Sequence, residues 1–130
     1  MHRYFRDKIL DFFYPARCPV CDSVQDVGAY GICAKCTTRI EYIREPKCCR
    51  CGKQLETEEE FCGDCKGKKH SFCQGNALFF YDRAMQESVA RFKYSGRREY
   101  GAVYAQELYR HYGGWIRQTG AGALVPVPVH

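Results

Sequence analysis

Four Cys-x-x-Cys pairs constrain this chain more than any other feature: Cys18/Cys21, Cys33/Cys36, Cys48/Cys51 and Cys62/Cys65, separated by eleven, eleven and ten residues. A shift of about thirty residues carries the first two pairs onto the second two, so the chain contains an internal repeat whose unit is a four-sulfur site. One tight turn of this type supplies two soft ligands, and two such turns close a tetrahedral zinc site. Disulfides, a redox Cys-x-x-Cys and an iron–sulfur cluster are the competing readings. A redox centre needs one motif at a helix start rather than four in succession, which leaves iron–sulfur chemistry as the strongest rival.

The near-equal gaps fit both tandem and interleaved pairing. The repeat favours tandem, with Cys18, Cys21, Cys33 and Cys36 on one ion and Cys48, Cys51, Cys62 and Cys65 on the other. Both sites would then be closed and structural, with no open position for a substrate. Two zinc ions also change the charge balance. Four thiolates around one divalent ion leave each site at −2, so two sites take the formal +5 to +1, and the apparent basicity is weak support for nucleic-acid binding. Cys49, inside the third turn, is an alternative to Cys48, and Cys73 is expected to be a buried small apolar residue.

Compartment follows from the same cysteines. The first fourteen residues include Arg3, Arg6, Asp7, Lys8 and Asp11, so they hold no uninterrupted apolar signal core, and the chain has no window of the roughly 18 apolar residues that a membrane span needs. These features predict a reducing, cytoplasmic setting, in which paired Cys-x-x-Cys motifs bind metal rather than form disulfides.

The expected domains are an amphipathic helix over 1–15, a double ribbon over 16–71 and an α/β segment over 72–130. In the first, Phe5, Ile9, Phe12 and Phe13 share one face and Pro15 ends the helix. Within the ribbons, Ile32 and Phe61 precede the second turn of each unit, and Gly52 suits a tight turn. Residues 37–45 predict one or two helical turns stopped by Pro46. The acidic run Glu56 to Glu60 reads as a solvated tip, followed by the basic linker Lys66, Lys68, Lys69 and His70. After residue 72 the pattern becomes strand (Asn76–Tyr81), helix (Arg83–Tyr94, capped by Asp82 and closed by Gly96), helix (about Arg98 to Tyr112, ended or bent by Gly113 and Gly114) and strand (Ala123–Val129). The expected stripes are Met85, Val89 and Phe92 on the first helix, and Tyr100, Tyr104, Leu108 and His111 on the second. Such a unit suits one edge of an α/β sheet but barely closes a core, which predicts a partial sequence with further strands.

No catalytic constellation is present in the pattern: His2, His70, His111 and His130 are scattered, and no phosphate-binding glycine motif occurs. Arg91, Lys93, Tyr94, Arg97 and Arg98 cluster around Gly96. They form either a solvated helix end or an anion or nucleic-acid contact with an aromatic neighbour.

The order of two four-cysteine ribbons, then Phe92-Lys93-Tyr94-Ser95-Gly96, then Val125-Pro126-Val127-Pro128-Val129-His130, resembles the ComF family, amidophosphoribosyltransferase-like proteins linked to competence and DNA uptake. The leading Tyr14-Pro15-Ala16-Arg17-Cys18-Pro19-Val20-Cys21 is similar to that family's start. The resemblance implies an α+β/α/β fold: tandem small zinc ribbons followed by the opening part of a type I phosphoribosyltransferase-like α/β domain. It implies partners of two kinds, single-stranded DNA and a competence helicase-type protein. Mg²⁺ and phosphoribosyl pyrophosphate (PRPP) would be cofactors of a full-length protein only, because the family's phosphate loop falls outside residues 1–130, and catalysis by this chain alone is not expected. The alternative is a double zinc-ribbon module that binds nucleic acid or protein and has no enzymatic activity.

Overall fold

A computed structural model describes residues 15–24 and 31–126. The expected helix over 1–15 lies outside the described residues except for Pro15, as do Val127 to His130. Three helices are present among the described residues: α1 (Ala34–Thr37), α2 (Arg83–Tyr94) and α3 (Tyr100–Gln118).

The thirty-residue repeat reappears in the backbone hydrogen bonds. In the first unit Cys18 N–H donates to Ser23 O at 3.0 Å and Asp22 N–H to Cys18 O at 2.8 Å; in the second, Cys48 N–H donates to Lys53 O at 2.8 Å and Gly52 N–H to Cys48 O at 2.9 Å. The later turns match as well, Cys36 N–H reaching Cys33 O at 2.9 Å and Cys65 N–H reaching Cys62 O at 2.9 Å. The residue after each opening pair takes a left-handed backbone, with φ 58° at Asp22 and 74° at Gly52. Apolar burial repeats too. Ile32 joins Cys18, Val20, Cys33 and Cys36 in one cluster, and Phe61 packs with Leu55 and Cys51 on Cys48, Cys62 and Cys65.

The helices follow from their caps and faces. Asp82 accepts the Met85 N–H at 2.8 Å and starts α2, while Gly96, at φ 71°, turns the chain out beyond its end. Met85 is buried and Val89 and Phe92 are half-buried, as the 3.6-residue period requires. α2 and α3 do not form a separate body. Ala84 of α2 and Val103 of α3 pack on the cluster around the first four-sulfur site.

Several expectations are corrected. The helix expected over 37–45 stops at Thr37. Residues 41–43 are extended instead and pair antiparallel with 78–80, through Ile43 N–H to Leu78 O at 3.0 Å and Phe80 N–H to Glu41 O at 2.8 Å. Tertiary contact explains the change, because the Tyr42 hydroxyl donates to the buried Glu107 carboxylate at 2.8 Å. The strand expected over 76–81 is reduced to a single bridge, Tyr42 with Phe79. Residues 123–126 form no strand and Leu124 and Val125 stand exposed, consistent with Pro126 having no N–H to offer a ladder. α3 starts two residues later than expected and runs through Gly113 and Gly114 to Gln118. Each helical glycine costs about 1 kcal/mol against alanine. Here Tyr112, whose hydroxyl donates to Ala77 O at 2.7 Å, anchors the helix beside them. The buried stripe of α3 is Tyr100, Glu107 and Gly113, not Leu108 and His111, which are exposed. Cys73 is exposed rather than buried.

The second ribbon meets the segment leading to α2 at Gly52. A Cβ there would lie 2.7 Å from both the Ala77 nitrogen and the Asn76 Cα, in a backbone conformation that side chains resist. Gly52→Ala should therefore destabilise the chain by about 1–3 kcal/mol, read as a drop of several degrees in the thermal midpoint. An unchanged midpoint would show that this approach does not hold.

Candidate metal centres

The structure brings the eight predicted cysteines into two groups in tandem order. Cys18, Cys21, Cys33 and Cys36 form one and Cys48, Cys51, Cys62 and Cys65 the other, with all sulfurs of a group within 4.8 Å of one another. A tetrahedron with Zn–S bonds of about 2.3 Å has sulfur–sulfur edges of about 3.8 Å. The Cys21–Cys33 separation is 3.8 Å and the Cys51–Cys62 separation 3.7 Å, so the donor sets fit Zn²⁺ in number, softness and size. Cys33 N–H also points at Cys18 Sγ, 3.5 Å away, a donor placed to share the charge of a thiolate. Cys49, the expected alternative, falls in neither group and is exposed.

The turns dictate this placement. In each unit the i-to-i+4 hydrogen bond closes a loop that aims both sulfurs of a pair inward, and the left-handed residue then lets the chain reverse. Seven of the eight sulfur-bearing residues are buried or half-buried, Cys21 being exposed. Zn²⁺ held here would be saturated by protein sulfur. It would stabilise folding, and it could not activate a water.

The pockets divide their charge unequally. Burial pushes Cys21 upward, but the Ser23 hydroxyl and amide and the Cys36 and Cys18 thiols outweigh it and bring the group down to about 6. Burial likewise opposes ionisation of Cys48, and the amides of Cys51, Cys62 and Arg50, with the Cys51 thiol, lower it to about 6. In the other direction, burial and then the Cys33 and Cys21 thiols push Cys36 well above its ordinary range. Burial and then the Cys51 and Cys62 thiols take Cys65 up to about 12. Each metal-free pocket thus keeps one favoured thiolate and holds protons on others, and binding Zn²⁺ must displace those protons.

The cluster around Gly96 separates into two groups. Arg91 turns inward, its Nη2 donating to Val20 O at 2.7 Å and Pro19 O at 3.2 Å. Arg97 pairs with Asp22 at 3.5 Å and with Glu99 at 3.7 Å. Lys93, Tyr94 and Arg98 are exposed, Tyr94 at 79%. Glu107 escaped the sequence reading. It is 1% exposed, accepts from Tyr42 and from Arg110 at 2.7 Å, and ties α3 to the segment between the ribbons. A charged residue gives no apolar-periodicity signal, and only its i+3 spacing to Arg110 could have marked it.

Among the described residues no helix is long and apolar enough to cross a membrane. Residues 9–66 match the model of the double zinc ribbon domain family. Over 121 residues the chain is 25% identical to "Competence protein F" of Haemophilus influenzae, an alignment covering 91% of this chain and 52% of that protein. The chain therefore spans about half the length of the curated relative it matches. No solved structure matches the chain.

Proton displacement sets a pH test. Above about pH 6 Cys21 and Cys48 are already thiolates, whereas below it each must also lose a proton on binding. Zinc affinity should therefore fall by about a further tenfold per pH unit at each site once pH drops below that point. Competition against a chromophoric chelator across pH 5–8 reads this slope; a constant slope through pH 6 would contradict it.

Proposed function

We propose that the chain is an amino-terminal portion of a ComF-family protein, a reading supported by the double zinc ribbon match and by the similarity to competence protein F, and that it forms the zinc-stapled platform of a competence-associated protein that handles incoming single-stranded DNA. The observation that carries this reading is the pair of four-sulfur groups at tetrahedral spacing whose first member shares its core with α2 and α3. Two zinc ions, on Cys18, Cys21, Cys33 and Cys36 and on Cys48, Cys51, Cys62 and Cys65, hold the platform rigid.

The DNA-facing element in this reading is the turn after α2. Lys93, Tyr94 and Arg98 are exposed around Gly96, beside which an added Cβ would meet nothing within 4 Å. Exposed cations that neutralise phosphates and an aromatic face that stacks on a base are the elements of sequence-tolerant single-strand binding. Arg91 and Arg97 take a supporting part, because their guanidinium groups are engaged by Pro19, Val20 and Asp22.

In the longer protein the segment from residue 72 onward opens a phosphoribosyltransferase-like α/β domain, with Mg²⁺ and PRPP as its ligands, a competence helicase-type protein as a partner and the cytoplasm as its setting. A double-ribbon module that binds a protein partner without enzymatic activity is the second reading. The aromatic rings of Phe80 and Tyr81, 47% and 65% exposed, favour it as ready-made contact surface. PRPP binding by the full-length protein with Mg²⁺ present separates the two.

Replacing Lys93 and Arg98 together with alanine should weaken binding of a fluorescein-labelled oligothymidylate and make the salt dependence shallower by about one unit of slope per residue. An unchanged slope would remove this turn from the contact and leave the Lys66 to His70 linker as the next cationic element to test.

A further inference from the structure

We propose that Asp22 is a positioning residue that latches the turn between α2 and α3 to the first zinc-binding knuckle, so that metal at the first site governs how Lys93, Tyr94 and Arg98 are presented. The two ribbons supply an internal comparison. Asp22 and Gly52 occupy the same place in the repeat, four residues after the first cysteine of each unit, with the same i-to-i+4 hydrogen bond. Both are left-handed, at φ 58° and 74°. Glycine takes that conformation freely, whereas a side chain resists it, Asp and Asn least. The second knuckle uses the residue that suits the turn, and the first uses one that strains it.

The Asp22 side chain supplies the reason. Its Oδ1 accepts a hydrogen bond from the hydroxyl of Tyr100, which is fully buried at the start of α3. The same carboxylate pairs with Arg97 at 3.5 Å. Neighbouring contacts on the same knuckle point the same way. Ser88 Oγ donates to Pro19 O at 2.6 Å, and Arg91 spans Pro19 O and Val20 O. Pro19 and Val20 lie between the ligands Cys18 and Cys21. The turn at 95–99 is therefore gripped from both sides by groups whose positions depend on the Cys18–Cys21 knuckle. The second ribbon makes no equivalent grip from Gly52, which has no side chain to make it.

The functional consequence rests on the reading of that turn as a phosphate and base contact, but the latch itself does not. The test is hydrogen–deuterium exchange on the zinc-loaded 130-residue chain, comparing wild type with Asp22→Gly, which installs at the first knuckle the residue its twin already uses. Asp22→Gly should still bind two zinc ions, while peptides covering residues 94–100 exchange roughly tenfold faster and peptides covering 48–66 stay as in wild type. Tyr100→Phe, which keeps the ring and removes the hydroxyl, should speed the same peptides in the same direction. Should Asp22→Gly fail to hold two zinc ions, Tyr100→Phe decides by the same readout. Wild-type exchange at 94–100 in a zinc-loaded variant would overturn the latch. Oligothymidylate binding measured on the same samples keeps the two ideas apart. Faster exchange with no binding even by wild type would sink the DNA reading and leave the latch standing.

Discussion

Both ribbons hinge on four sulfurs gathered within 4.8 Å of one another, where burial and crowding oppose ionisation. Without a cation such a group cannot ionise fully: burial and then the neighbouring thiols drive Cys36 and Cys65 upward, while hydrogen bonds from amides, the Ser23 hydroxyl and neighbouring thiols outweigh burial and bring Cys21 and Cys48 down. A divalent cation removes the conflict and turns a costly arrangement into the main source of folding free energy, on the order of 10–16 kcal/mol for a structural zinc site in small peptides at neutral pH. The ribbons have little else. Their apolar clusters consist largely of the cysteines themselves, with Val20 and Ile32 in one and Leu55 and Phe61 at the edge of the other.

From that constraint the two halves of the chain become interdependent. The first site shares its core with Ala84 and Val103 and offers its knuckle carbonyls to Ser88 and Arg91. The second presses Gly52 against the backbone of Asn76 and Ala77. Between them, Tyr42 leaves the connecting segment to meet Glu107 and stacks on His111 at 4.7 Å. Helix α2, with 12 residues, would be marginal alone; here Ala84 of α2 and Val103 of α3 pack on the cluster around the first four-sulfur group.

The sequence made the cysteine framework legible because spacing is a direct geometric statement: a Cys-x-x-Cys pair can form only a few turns, and the repeat favoured the tandem pairing in which the sulfurs are grouped. Helix α2 was equally legible, since Asp82 and Gly96 are local signals whose chemistry acts within one turn. Tyr42 and the segment around it were not. Residues 37–45 carry a helical pattern, and what overrides it is a hydrogen bond to Glu107, 65 residues away. Glu107 itself was hidden by the rule that buried faces are apolar. Asp22 was hidden for a subtler reason. Its role shows only when its left-handed backbone is set beside that of Gly52, and a sequence does not print φ.

The most direct test of this account is cobalt substitution of the zinc-stripped chain, followed by visible absorption and near-ultraviolet circular dichroism. The ligand-field bands of tetrahedral sulfur coordination should saturate at two equivalents of Co²⁺, with the aromatic signal of the packed tyrosines emerging as the sites fill. Saturation at one equivalent, or an aromatic signal already complete before any metal is added, would contradict it.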